Sequence, residues 1–220
     1  ACQPMRSQLH QKEAKGLLSI NTAVHADYRG KNLFKDLANK TFYSAKEKGY
    51  AFIIGVANAN STTLFRKWFK FNLICPLDVK IGFGCISYQP EESTHKYQRI
   101  WSNEALNWRL NNPNYNYLYQ KALSGLGIYS PTQQIGIYAQ MNFISSKTYN
   151  NNLSKINLLH PIRLWIGVDN NYYKNKMLYI NLPDRFKPSP LNLIFKDLTD
   201  KEISLSKNEV KFDLIDFDAY

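Results

Sequence analysis

Residues 17–34, LLSINTAVHADYRGKNLF, hold the pattern that decides the fold. The apolar start at Leu17 and Leu18 and the polar rhythm of Ser19, Asn21 and Thr22 predict a β-strand from Leu17 to Val24. A basic turn with a single glycine covers residues 25–31, and a long amphipathic helix opens at Asn32. Arg29, Gly30 and Lys31 sit at the junction. In such a junction the first free N–H groups of the helix point at an anion, and the helix dipole favours negative charge there. The pattern points to a phosphate or pyrophosphate.

Downstream, Leu33, Phe34, Leu37, Ala38, Thr41, Phe42 and Ala45 form a helical stripe, and Gly49 supplies a stop. Residues 51–57, AFIIGVA, predict a central strand buried on both faces. Asn60 or Ser61 caps a second helix whose stripe Leu64, Phe65, Trp68 and Phe69 is expected in the core. A hairpin-like segment is expected over residues 71–88. Strand, helix, strand, helix, strand implies parallel pairing with a right-handed crossover. Residues 1–16 read as the end of one strand and a polar turn.

The polar stretch 89–99, QPEESTHKYQR, marks a boundary between units 1–90 and 100–220. Beyond it the sequence predicts a helix at Ser102–Leu110 and strands near Ile135–Phe143, Ile162–Val168, Met177–Leu182 and Val210–Phe217. This half reads as an α+β unit with an antiparallel bias. Tyr115, Tyr117 and Tyr119 alternate as one face of a strand does, and Asp213, Asp216 and Asp218 read as half-exposed strand positions. No internal repeat stands out.

Bulk properties narrow the function classes. The 220 residues carry a formal charge of +11, which suggests an anionic partner. The basic residues are spread rather than striped, which argues against nucleic acid. No run of about 18 apolar residues exists, so no membrane span is expected, and no charged and apolar leader opens the chain. Cys2, Cys75 and Cys85 are odd in number and far apart. They fit unpaired thiols in a reducing compartment, the cytoplasm, and not a disulfide framework or zinc site. His10, His25, His95 and His160 lack metal-ligand spacing, so no metal is expected and each reads as a surface or loop residue.

VHADYRGKNLF (Val24–Phe34) resembles the acetyl-CoA signature of the GNAT superfamily of N-acetyltransferases. AFIIGVANANSTTLFRKWFKF (Ala51–Phe71) resembles the next block of that family, in the right order and one helix further on. The resemblance covers roughly residues 1–88, and WRLNNPNYNY (Trp108–Tyr117) resembles an element of larger GNAT-type proteins with a second half. It implies an α/β (α+β) fold: a mixed sheet with central splayed parallel strands, followed by a second α+β unit that is GNAT-like or acceptor-side. It implies acetyl-CoA or another acyl-CoA as co-substrate. Thr22, Ala23 and Val24 would offer backbone groups to the pantetheine arm. Arg29, Gly30, Lys31, Asn32 and Leu33 would hold the pyrophosphate. Asn58, Asn60 and Ser61 would lie near its far side. A primary amine of a small metabolite, amino sugar or peptide would attack the thioester directly in a ternary complex, with the Val24 N–H stabilising the oxyanion.

The departures from the family pattern are specific. Asn32 and Phe34 replace preferred Gly or Ala, Ala26 replaces Pro, and Lys70 replaces Gly. Phe65 stands near a position where many members have a proton-donating Tyr, and no Asp or Glu lies on residues 17–24. The family's opening strand and helices exceed what residues 1–16 can hold, so either those first elements are missing or another segment substitutes. An alternative is therefore a catalytically degenerate CoA-binding or interaction module. A basic nucleic-acid-binding protein is a third reading. The acceptor and the oligomeric state stay open.

Overall fold

The computed structural model describes residues 1–20, 24–84, 95–122, 125–144, 153–156, 161–169, 178–187 and 189–217. The chain opens with a hairpin, β1 (Cys2–Leu9) and β2 (Lys12–Ser19). His10 and Gln11 form its turn with φ of 48° and 63°, the geometry that matches strand twist in two-residue hairpins. Along the first half follow α1 (Leu33–Glu47), β3 (Phe52–Ala57), α2 (Ala59–Phe69), β4 (Asn72–Pro76), β5 (Asp78–Phe83), β6 (Tyr97–Arg99) and α3 (Asn103–Leu110). Then come β7 (Leu118–Ala122), β8 (Gly125–Pro131), β9 (Ile137–Ile144), β10 (Ser154–Lys155), β11 (Ile162–Val168), β12 (Tyr179–Asn181), β13 (Asn192–Asp197) and β14 (Phe212–Asp213).

The elements form two compact units that alternate along the chain. The first holds Ala1–Leu77, Lys96–Ile100 and Pro188–Glu209; the second holds Asp78–His95, Trp101–Lys187 and Val210–Tyr220. The sequence reading drew a single boundary at 89–99. The residues expected as one hairpin, 71–88, instead part company: β4 joins the first sheet and β5 the second.

The first sheet runs β4-β13-β3-β2-β1-β6. Only β2 and β3 are parallel, with α1 as the crossover, and their pairing runs from Gly16↔Phe52 to Ser19↔Gly55. β4 was expected to continue the parallel set. It pairs antiparallel with β13, which lies between it and β3. β2 also starts at Lys12 rather than Leu17. Its polar half is mostly exposed, so apolar patterning does not reveal it.

Both long helices cover one face of this sheet, where Leu17, Ala45, Ile53, Phe65, Phe69 and Ile194 share a core. On the other face Phe52 stacks on Phe195 at 5.5 Å and meets Tyr97 edge-on at 5.6 Å. Leu64 and Trp68 of α2, expected in the core, are 37% and 43% exposed. The cap of α2 is Asn58, not Asn60 or Ser61; its Oδ1 accepts the Ser61 N–H at 2.8 Å.

The second sheet runs β10-β7-β8-β9-β11-β5-β12, with β14 on β11. Its centre repeats the pattern of the first. A hairpin (β8–β9) feeds a parallel pair (β9 and β11), and two antiparallel strands follow (β5, β12). The repeat is thus visible in topology, not in sequence. β9 and β11 pair only from Ile137↔Ile162 to Gln140↔Trp165. Past that point β14 pairs with the far end of β11, and the 3₁₀ turn Leu214–Asp216 packs on both β9 and β11.

Asp213 and Asp216 are therefore not half-exposed strand positions. Both are buried and form the capping box of that turn. Asp218 lies outside the described residues. Tyr115 and Tyr117 precede β7 and stack on each other at 5.8 Å, so the alternating tyrosines do not form one strand face. His95 is no surface residue; it is buried 3.4 Å from Asp169. Ser102 caps α3 as expected. No helix among the described residues is long and apolar enough to cross a membrane.

Candidate functional site

The site builds from the point where β2 and β3 stop pairing. At the last pair, a Cβ on Gly55 would lie 3.1 Å from the Ser19 carbonyl oxygen, a tight contact that glycine avoids. Beyond it β3 continues through Val56 and Ala57, bonded to β13 on its other side. Thr22 and Ala23 lie outside the described residues.

The chain re-enters at Val24 and makes a 3₁₀ turn, Ala26–Tyr28. His25 accepts the Asp27 N–H through Nδ1 at 3.4 Å. The Arg29 side chain folds back, its Nε donating to the Val24 carbonyl at 3.2 Å. Lys31 Nζ lies 5.1 Å from the centre of the Tyr28 ring. Gly30, at φ +77°, takes the left-handed conformation that favours glycine, and nothing lies within 4 Å of where its Cβ would be. Asn32 also adopts φ 57° and makes no side-chain cap.

An uncapped helix start leaves its first amides without acceptors. Among the described residues the N–H groups of Leu33, Phe34 and Lys35 have none; the first bonded amide is Asp36, to the Asn32 carbonyl at 3.1 Å. Residues 29–33 are exposed around them. One guanidinium, one ammonium and three amides without acceptors thus gather around the start of α1. That arrangement suits a phosphate dianion. Phe34 and Lys35 were missed in the sequence reading, although position in the first turn is itself the signal.

Phe34 turns under the helix, half-buried against Phe65 at 5.8 Å and Phe69 at 5.4 Å. A cavity of about 210 Å³ runs along α1 beside it, lined by Ser19, Val24, Phe34, Ala38, Phe42 and Phe65 among others. Cys2 also lines it; burial pushes its thiol up from the ordinary value, with a smaller opposing pull from the N-terminal ammonium. That thiol is protonated at neutral pH and is no nucleophile. Phe65 is buried and holds its edge-on contact with Phe34, with no hydroxyl to offer.

Asn58 and Ser61 are spent on each other: Ser61 Oγ donates to Asn58 Oδ1 at 2.7 Å. Asn60 is exposed on the first turn of α2. The structure thus brings Val24 and Arg29–Leu33 into one junction and gives Asn58 and Ser61 a capping role.

The parallel pair that ends early, the crossover helix with its open N-terminus and the inserted antiparallel strand belong to a fold that resembles solved structures of GCN5-related N-acetyltransferases. No protein-family model matches the sequence, and no curated protein matches it either. Solved structures do match. A protein from Enterococcus faecalis described as a probable N-acyltransferase is 10% identical with a TM-score of 0.58; the match covers 90% of this chain and 58% of that one. A GCN5-related N-acetyltransferase from Kribbella flavida is 9% identical with a TM-score of 0.58, covering 90% and 57%. One from Anabaena variabilis is 10% identical with a TM-score of 0.54, covering 91% and 59%. The chain spans less than two thirds of the length of each.

Proposed function

We propose that the chain is an acyl-CoA-dependent N-acyltransferase whose first unit binds acetyl-CoA or a related acyl-CoA. The observation that carries the reading is the uncapped start of α1. Its free amides at Leu33, Phe34 and Lys35, with Arg29, Gly30, Lys31 and Asn32, offer the pyrophosphate a ready cradle. The apolar cavity along α1 supports a path for the pantetheine arm, with Thr22, Ala23 and Val24 as backbone partners. Asn58, Asn60 and Ser61 stand near the far side of the cofactor.

In this reading the acceptor is the primary amine of a small metabolite, amino sugar or peptide. Its neutral nitrogen attacks the thioester carbonyl in a ternary complex. The N–H of Val24 holds the developing oxyanion, and the CoA thiolate leaves. The odd number and wide spacing of Cys2, Cys75 and Cys85 suit a reducing compartment such as the cytoplasm.

Calorimetric titration with acetyl-CoA tests the reading. Binding is expected, and Arg29→Glu should weaken it by roughly tenfold or more, since it places a charge of the wrong sign beside the pyrophosphate. A folded chain that does not bind acetyl-CoA overturns it. The packing of Phe65 favours a second reading, a CoA-binding module without turnover. Binding without transfer to any amine in a panel would establish that one.

A further inference from the structure

A lysine breaks the apolar run of β13, Asn192-Leu-Ile-Phe-Lys-Asp197. Lys196 leaves a strand whose Leu193, Ile194 and Phe195 are all buried, and reaches across the helix side of the first unit. Its Nζ donates to the carbonyl of Phe69, the last residue of α2, at 2.8 Å. It lies 6.0 Å from the ring centres of both Phe42 and Phe71. The same side chain lines a cavity of about 660 Å³ that opens beside the C-terminal half of α1.

The charged groups around this cavity are Lys46, Lys70, Asp197, Asp200 and Glu202. Lys46 is paired with Asp200 at 2.7 Å. Asp197 is committed to the Thr199 N–H and hydroxyl and to the Ile203 N–H. No carboxylate lies within ion-pair distance of Lys196 among the described residues, and Lys70 adds like charge.

We infer that Lys196 is an acylation site, its amine reacting with small activated acyl donors that enter this cavity. Partial burial disfavours the ammonium, Lys70 disfavours it further, and Asp197 offsets this only in part, so the amine is held below the usual lysine range. A desolvated lysine beside a second cation is the ordinary way in which an amine becomes nucleophilic at neutral pH. The free base attacks the acyl carbonyl of a thioester or active ester. The C–N bond forms, and the bond to the leaving group breaks. That group departs with the electron pair and takes up the proton that nitrogen loses. The amide product keeps one N–H, enough to hold the bond to Phe69, so the fold tolerates the change.

Trace labelling with N-acetoxysuccinimide, a neutral acetyl donor, tests this on the unaltered chain by peptide mapping. At about pH 7, Lys196 should be acetylated faster than exposed Lys35, Lys40 and Lys67, because a lowered pKa raises the free-base fraction. Its pH midpoint should fall below theirs, and Lys70→Met should move that midpoint up. A rate at or below that of the exposed lysines overturns the inference. Lys196→Arg, if folded, must abolish the fast-labelled peptide; if it does not fold, the map of the unaltered chain decides.

Discussion

At Gly16 the backbone of β2 lies against the ring of Phe52. A Cβ there would stand 2.1 Å from Phe52 Cζ, far inside contact distance, and the ring is fully buried. Gly16→Ala should therefore destabilise the chain by about 1–3 kcal/mol, the usual penalty of overpacking. Chemical denaturation measures it, and an unchanged midpoint would show that the ring moves. Residue identity made the turn and its charge legible in advance, through Arg29, Gly30 and Lys31. It did not reveal how Arg29 folds back on the Val24 carbonyl, or that Asn58 caps α2. Those depend on backbone angles that several residue types can satisfy.

Elements were legible where burial imposes a period. β3 and β11 match their apolar runs almost residue for residue. α2 forms where a second helix is expected, but it starts earlier than a cap at Asn60 or Ser61 implies and buries less of its stripe. Phe69 is 3% exposed within an aromatic cluster, whereas Trp68 is 43% exposed. Phe69→Ala should cost about 3–5 kcal/mol and Trp68→Ala distinctly less, in paired denaturation curves. The 3₁₀ turn Lys207–Glu209 is tied down electrostatically instead. Glu209 pairs with Lys96 next to β6 and accepts the Ser206 N–H at 2.9 Å, and these bonds hold its carboxyl down from 4.5 to about 2. A depressed carboxyl stabilises fully above its unfolded value, and that contribution is lost as pH falls toward the folded one. Stability should thus decline between about pH 4.5 and 2, and Glu209→Gln should flatten that limb of a pH-dependent melting series. An identical limb would show that other carboxylates set it.

Across the whole molecule the two sheets share one strand pattern but treat its fork differently. In the second sheet, residues 212–217 occupy the space where β9 and β11 diverge, and Leu214 and Ile215 are almost wholly buried there. In the first sheet no described strand enters the corresponding gap beyond Ser19 and Gly55. Titration should give one acyl-CoA per chain; two would mean that the C-terminal turn yields to ligand. This level was the least legible, because strand exchange leaves no local trace. β4 and β5 look like a hairpin, yet each is completed by a partner far away in sequence.

That exchange sets an order of events during synthesis. β3 and β4 emerge early with their backbone edges bare, and the strand that must lie between them begins only at Asn192. Closing a loop of such length is slow and entropically costly. On the ribosome the first sheet therefore waits, open at its centre, until Asn192–Asp197 has been translated. During that interval the nascent chain exposes an adhesive edge. Arrest of translation before Asn192 should leave the first unit protease-sensitive, and release beyond Asp197 should let it snap shut.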